Sequence, residues 1–411
     1  MSTEVYVYAD WEDFTDPILV GVLRSSVTKK KEHFSFSYDK AWLQSENAQK
    51  IDPDLHLFTG EQHSPDSNNF RVFLDSCPDR WGRLLMKRRE AIIARQEERK
   101  PKLFHEIDYL LGVHDLYRQG ALRFKSDLRG DFLDNDTRLA APPISSLKEL
   151  EYAALQVENS NTDDPEYLKW LYMLMSPGSS LGGARPKASV IDDNEHLWIA
   201  KFPSRYDDYD IAAWEYLVYR LALTAGVEMS ESRIEKFNSH HHTFLTKRFD
   251  RTKNSRLHFT SAMTQLEYYD GDYDASYIEL AEFLTEQGSN TKIDLAQLWR
   301  RMVFNIAVSN TDDHLRNHGF IYRNDGWILS PAYDVNPVTP ANGLHLNITD
   351  NDNSLNYDLA MEVIDFFKLS EAEAETIKNE VLTSVRRWKV VATEIGISRS
   401  EQKLMEPAFN V

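Results

Sequence analysis

Asp312 and Asn317 are separated by four residues within Ser-Asn-Thr-Asp-Asp-His-Leu-Arg-Asn-His-Gly-Phe (309–320). At that separation a carboxylate can act as a general base while an amide oxygen binds a cation, the division of labour in a phosphoryl-transfer loop. A second carboxylate, Asp334, ends Leu-Ser-Pro-Ala-Tyr-Asp (329–334). One base, one amide and one carboxylate are the minimum for setting a hydroxyl against a magnesium-bound triphosphate. Upstream lies Ser-Pro-Gly-Ser-Ser-Leu-Gly-Gly-Ala-Arg-Pro-Lys (176–187). Glycines 178, 182 and 183 let backbone amides approach phosphate oxygens, and Lys187 adds a point charge. This is not a Walker A loop, whose lysine directly follows its last glycine. Lys201 ends Leu-Trp-Ile-Ala-Lys, a strand like the one that holds nucleotide phosphates in kinases. Glu215 is its candidate ion-pair partner, with Asp210 or a solvated, unpaired lysine as the alternatives.

The elements that must position these residues are legible from periodicity. Val5–Tyr8, Pro17–Leu23 and His33–Tyr38 read as strands. A helix starts at Asp79, with Trp81, Leu84, Leu85, Ile92 and Ile93 near helical spacing. Its arginines could meet a partner, but a solvated helix face accounts for them more simply. Residues 126–165 turn polar and mark a boundary, dividing the chain into 1–150 and 151–411. Beyond it come the strands Lys187–Ile191 and Leu197–Lys201, the helix Ile211–Ala225, and the strands Ser232–Phe237 and His242–Arg248. A buried helix, Trp299–Val308, leads into the polar loop, and short strands follow at Gly319–Tyr322 and Trp327–Ser330. Ser370–Trp388 reads as one last helix with an acidic first turn suited to the helix dipole.

Composition sets outer limits. With 42% hydrophobic and 27% charged residues over 411 positions, this is an ordinary globular chain. A net charge of −18 disfavours unaided nucleic-acid binding, which needs clustered cations. Cys77 is the only cysteine, so neither a disulfide framework nor a thiolate zinc site can form within the chain. The first residues lack a signal peptide's basic and apolar regions, and the longest apolar run is broken by Glu215 and Arg220. A cytoplasmic protein without membrane contact is predicted. Two metal readings compete with the base assignment. His240–His242 lie in a polar turn without ligand spacing, and Gly319 breaks the helix that His314 and His318 would need to share a metal.

Taken in order, these segments resemble the HipA family, serine/threonine kinase toxins of bacterial type II toxin–antitoxin modules. The similar segments are 179–187, Thr-Lys-Arg-Phe-Asp-Arg (246–251), 310–320 and 329–334. Pro-Asp-Arg-Trp-Gly-Arg-Leu-Leu (78–85) and Gly-Ala-Leu-Arg-Phe (120–124) are similar as well. The resemblance implies an α+β, two-lobed protein-kinase-like fold with a mixed N-terminal subdomain and a largely helical C-terminal lobe. It makes Asp312 the catalytic base, with Asn317 and Asp334 as magnesium ligands. ATP would meet Ser180, Gly182, Gly183, Lys187, Lys201 and the backbone of Lys247 and Phe249. Ser180 aligns with the serine that members autophosphorylate to switch themselves off, and Ser179 is an equally available hydroxyl.

The activity so implied is growth arrest, associated with persistence, through phosphorylation of a cellular protein, in some members an aminoacyl-tRNA synthetase. The implied partner is a HipB-like helix-turn-helix antitoxin through which alone DNA is reached. Two departures stand out. Lys247 replaces a glutamate of well-known members, and 258–266 lacks the Gln-Glu-Asp motif of some. The rival readings are a small-molecule kinase of the same fold and a non-catalytic antitoxin-binding module.

Overall fold

Val5, Val7 and Ala9 are fully buried and alternate with more exposed residues, the period-two signature of a strand with one covered face. In the computed structural model all residues are described except 1, 13, 30, 66–67, 138–140, 160–165, 176–184 and 273. Two compact units are present, 1–205 with 250–260, and 206–249 with 261–411. The expected N-terminal subdomain, 1–150, falls inside the first, which continues to Arg205.

In the first unit, five antiparallel strands follow the order Gln62–His63, Lys31–Tyr38, Ile18–Thr28, Ser2–Ala9, Leu122–Lys125. The strand expected to end at Leu23 runs on to Thr28. Pairing with 31–38 carries its polar end along, and Ser25 Oγ donates to Glu32 Oε1 at 2.5 Å. Gly21 is required here, because a Cβ would collide with the backbone oxygen of Ser37. Phe36, Phe73 and Phe124 cover the sheet, with successive ring centroids 5.9 and 6.0 Å apart.

The helix expected from Asp79 is Arg80–Gln96, and Asp79 caps it by accepting from Gly82 N–H at 2.9 Å. Two of its arginines serve the unit's own structure. Arg83 grips Glu106 through two bonds of 2.6 and 2.7 Å, and Arg88 donates to Val157 O at 2.6 Å. The strands Lys187–Ile191 and Leu197–Lys201 form an antiparallel hairpin.

Asp52 accepts backbone N–H bonds from Val72 (2.8 Å) and Asp54 (3.0 Å). Burial pushes its carboxyl up to about 7 despite those bonds. The folded state therefore holds this proton more tightly than the unfolded chain does. The group's contribution to stability is present below about pH 4, the ordinary carboxylate range, and is lost as pH rises through about 7. Melting curves from pH 4 to 8 should show that decline in the native protein and a flatter one in Asp52→Asn. Identical slopes would contradict the assignment.

The second unit is built on the helix Thr291–Val308, in which Leu295, Leu298, Trp299, Met302, Val303 and Phe304 are almost completely buried. It begins well before the expected Trp299, because its first turns are amphipathic and only the stretch from Arg301 to Val308 is buried at every position. Around it pack Ile211–Thr224, Tyr277–Gln287 and Glu371–Val385. The single helix expected over 370–388 is two, Glu371–Val385 and Trp388–Ile395. The chain turns at Arg386–Arg387, and Trp388 stacks on Phe409 with centroids 4.3 Å apart beside Trp214. Ser370 and Glu373 form the capping box that the acidic first turn announced. Among the described residues, no helix is long and apolar enough to cross a membrane.

Candidate active site

The polar loop starts where Thr291–Val308 ends. Ser309 takes a left-handed φ of 48°, and the Asn310 N–H returns to Asn305 O at 2.9 Å, so the chain leaves the helix in one direction. After the loop, Gly319–Arg323 and Gly326–Leu329 form a hairpin around Asn324 and Asp325, both at positive φ. The next segment is pinned by Ser330 N–H to Gly319 O (2.9 Å) and Ala332 N–H to Glu228 O (2.8 Å). Asp334 then sits at φ 57°, a strained conformation for a non-glycine residue and one that clusters at functional sites.

Within this frame the two adjacent aspartates part. The Asp312 side chain is 72% exposed, with His314 Nε2 3.8 Å from its Oδ1. Asp313 is buried, accepting from Tyr277 OH at 2.5 Å and from His345 N–H at 2.7 Å. Burial lifts the Asp313 carboxyl to about 6 against the pull of those donors. Only Asp312 is placed to meet a reactant from solvent.

Asn317 Nδ2 donates to Asp312 O at 2.8 Å, which fixes the amide and directs its oxygen away. That oxygen is buried and has no hydrogen-bond partner among the described residues. Asn317 lines a pocket of about 340 Å³, counted to its open mouth, with Arg301, Asn305, Asp313, His318 and Tyr333. Asp334 Oδ1 accepts from Asn336 Nδ2 at 3.2 Å. The Asn317 amide oxygen and the Asp334 carboxylate are both oxygen donors, the ligand type that magnesium takes. His318 is not a proton carrier, since burial drives its imidazole down to about 3 and keeps it neutral. The histidine metal readings find no support. Among the described residues no group of three His, Cys, Asp or Glu side chains could hold an ion. His242 Nδ1 instead lies 2.6 Å from Asp210 Oδ2, and Asp210 also caps Ile211–Thr224 through Ala213 N–H.

The segment expected to meet adenine lies in the same unit. Lys247 donates its backbone N–H to Glu231 O at 2.8 Å, so any backbone contact with a base falls to its carbonyl. Its ammonium is 3.6 Å from Glu231 Oε2. The Phe249 ring packs on Tyr333 with centroids 5.5 Å apart, and Tyr333 OH donates to Arg316 O at 2.8 Å. Phe249 is thereby linked through Tyr333 to the polar loop at Arg316.

Of the residues expected to meet phosphate, Lys187 and Lys201 belong to the first unit. Ser179, Ser180, Gly182 and Gly183 lie outside the described residues. Lys187 and Lys201 face each other directly across the hairpin, and both are buried. Lys187 Nζ is 2.6 Å from Asp79 Oδ2, each side chain 4% exposed, and Trp81 Nε1 donates to Lys187 O at 3.2 Å. Burial raises the Asp79 carboxyl, with the Lys187 ammonium opposing. The lysine expected to cradle phosphate thus holds a buried ion pair with the motif at 78–85. Sequence reading missed Asp79, since its partner is far away along the chain. It also missed Tyr277, Asn305, Asn310 and Asn336; only Asn310, inside the loop motif, carried a local signal.

An α+β chain with an outward aspartate, a pinned amide and a strained carboxylate on successive segments has the parts of a kinase-type site. Residues 179–389, more than half of the chain, match the HipA-like C-terminal domain, and the chain belongs to that family. Its fold is similar to that of the toxin–antitoxin system HipA of Shewanella oneidensis, solved with HipB and its operator DNA. The TM-score is 0.66 at 18% identity, covering 98% of this chain and 94% of that one. The α+β, HipA-like fold expected from the sequence is thereby established. A protein of Haemophilus influenzae with a provisional kinase designation is 29% identical over 185 residues, 40% of this chain and 54% of that protein. Another, from Sinorhizobium fredii, is 28% identical over 157 residues, 35% of this chain and 38% of that protein. The chain thus spans about half or less of the length of these relatives.

Proposed function

We propose that this protein is an ATP- and magnesium-dependent serine/threonine protein kinase acting as the toxin of a toxin–antitoxin pair. The observation that carries the reading is the parting of the aspartates, with Asp312 turned to solvent beside an Asn317 whose amide oxygen is buried and unpaired among the described residues. Asp312 accepts the proton of the substrate hydroxyl as it attacks the terminal phosphate of ATP. Asn317 and Asp334 hold magnesium, which neutralises charge on the transferred group when bound. Lys201 holds the nucleotide phosphates, joined by Lys187 once it exchanges Asp79 for phosphate. Gly182 and Gly183 offer backbone amides to the phosphate tail, and the backbone at Lys247 and Phe249 meets adenine. Phosphate placed on Ser180 or Ser179 would add about two negative charges and repel ATP, which makes the loop an off-switch.

The Shewanella complex supports a helix-turn-helix antitoxin as partner. A chain of net charge −18 leaves the DNA contact to such a partner, and the place of action is the cytoplasm. The division of labour follows the sequence division, 1–150 as the N-terminal subdomain and 151–411 as the kinase core. Incubation with Mg-ATP followed by phosphopeptide mass spectrometry tests the reading. Phosphate on Ser180 or Ser179 that vanishes in Asp312→Asn is the expected result. An unmodified protein that labels only a metabolite in a lysate would replace it with a small-molecule kinase.

A further inference from the structure

We infer that Tyr277, Asn305, Asn310 and Asn336 are positioning residues, forming one hydrogen-bonded chain that sets the base loop against the carboxylate Asp334. The inference rests on the phosphotransfer reading of Asp312 and Asp334. Tyr277 OH donates to Asp313 Oδ2 at 2.5 Å, and Asn305 Nδ2 donates to that hydroxyl at 2.8 Å. Asn310 Nδ2 donates to Asn305 Oδ1 at 3.1 Å, and the Asn336 backbone N–H donates to Asn310 Oδ1 at 3.3 Å. Asn336 then turns its side chain the other way, donating Nδ2 to Asp334 Oδ1 at 3.2 Å.

Three features argue for positioning rather than mere filling. Asn305 is buried between Phe304 and Ile306 on a helix where an apolar residue would pack without needing partners. From Asn336 to Asp313 every donor points the same way, so each bond polarises the next and the sequence ends on a carboxylate. The chain also reaches both segments that carry the site's carboxylates. Asp313 directly follows Asp312 in the chain, and Asn336 is two residues from Asp334. A shift at either end is therefore transmitted to the other, fixing where the hydroxyl's proton goes relative to the cation. Asn317, bonded to Asp312 O, moves with the base end.

Tyr277→Phe removes one hydroxyl from the core and leaves the ring in place. Its turnover should fall about tenfold or more, as for a lost hydrogen bond to a charged group. KM for ATP should stay within about threefold, because binding energy shared by ground and transition states is untouched. Hydrogen exchange should rise both at 309–318 and at 332–337, with Glu371–Val385 unchanged. Asn336→Ala should give the same signature, and the double variant should lose less than the product of the two. Unchanged turnover, multiplying effects, or faster exchange confined to 309–318 would overturn the inference. If the native protein transfers no phosphate, the function proposed above falls. Exchange at 332–337 in Tyr277→Phe then decides the chain alone, a rise supporting it and no rise ending it.

Discussion

Asp312→Asn is expected to lower phosphotransfer by about 10²–10⁴-fold, the usual contribution of a positioned general base. The loss should come almost without destabilisation. Its side chain is 72% exposed, and surface substitutions of that kind stay within about 0.5 kcal/mol. The neighbouring position should behave in the opposite way. Asp313→Ala leaves Tyr277 OH and His345 N–H without their acceptor, and an unsatisfied buried donor costs about 1–3 kcal/mol. Labelled-ATP assays and melting curves on both variants separate chemistry from scaffold. An Asp312→Asn protein that transfers phosphate at the native rate would remove Asp312 from the base role.

The second large effect concerns stability. Asp79→Ala takes the carboxylate from a Lys187 ammonium that stays buried, and breaking such a pair from one side costs about 3–5 kcal/mol. The loss of the helix cap on Arg80–Gln96 adds about 1 kcal/mol. Lys187→Met should cost a similar amount from the other side. The double variant Asp79→Leu with Lys187→Met should recover much of the loss, since a packed apolar pair needs no desolvation of charge. Denaturant midpoints of the first unit measure this. Nucleotide affinity of the double variant then tells which lysine serves phosphate. Retained affinity assigns the phosphates to Lys201 alone, and lost affinity assigns Lys187 both duties. A double variant no more stable than either single one would show that the pair is not the source of the effect.

Several parts of this molecule were written locally and could be read locally. The separation of Asp312 and Asn317, the carboxylate at 334, and the capping box at Ser370 all depend on residues a few positions apart. So does the alternation of Val5, Val7 and Ala9. Family membership rested on such short segments in the right order. Where an expectation needed tertiary contacts, it went astray. Ser370–Trp388 looked like one helix because its apolar spacing barely changes at Arg386–Arg387. In the structure the chain turns there, and Trp388 begins a second helix and stacks on Phe409.

The sequence by itself determined which groups are on offer: Asp312, Asn317 and Asp334 in the order that the proposed phosphoryl transfer requires, with lysines on two strands. Tertiary structure alone decided which of two adjacent aspartates faces solvent, and that Lys187 spends its charge on Asp79. It also decided that four polar residues from separate segments join Asp313 to Asp334. The reason is burial. Whether a carboxylate is a base or a buttress depends on the dielectric and the donors around it. Those come from residues such as Tyr277, 36 positions from Asp313, and Asp79, 108 positions from Lys187.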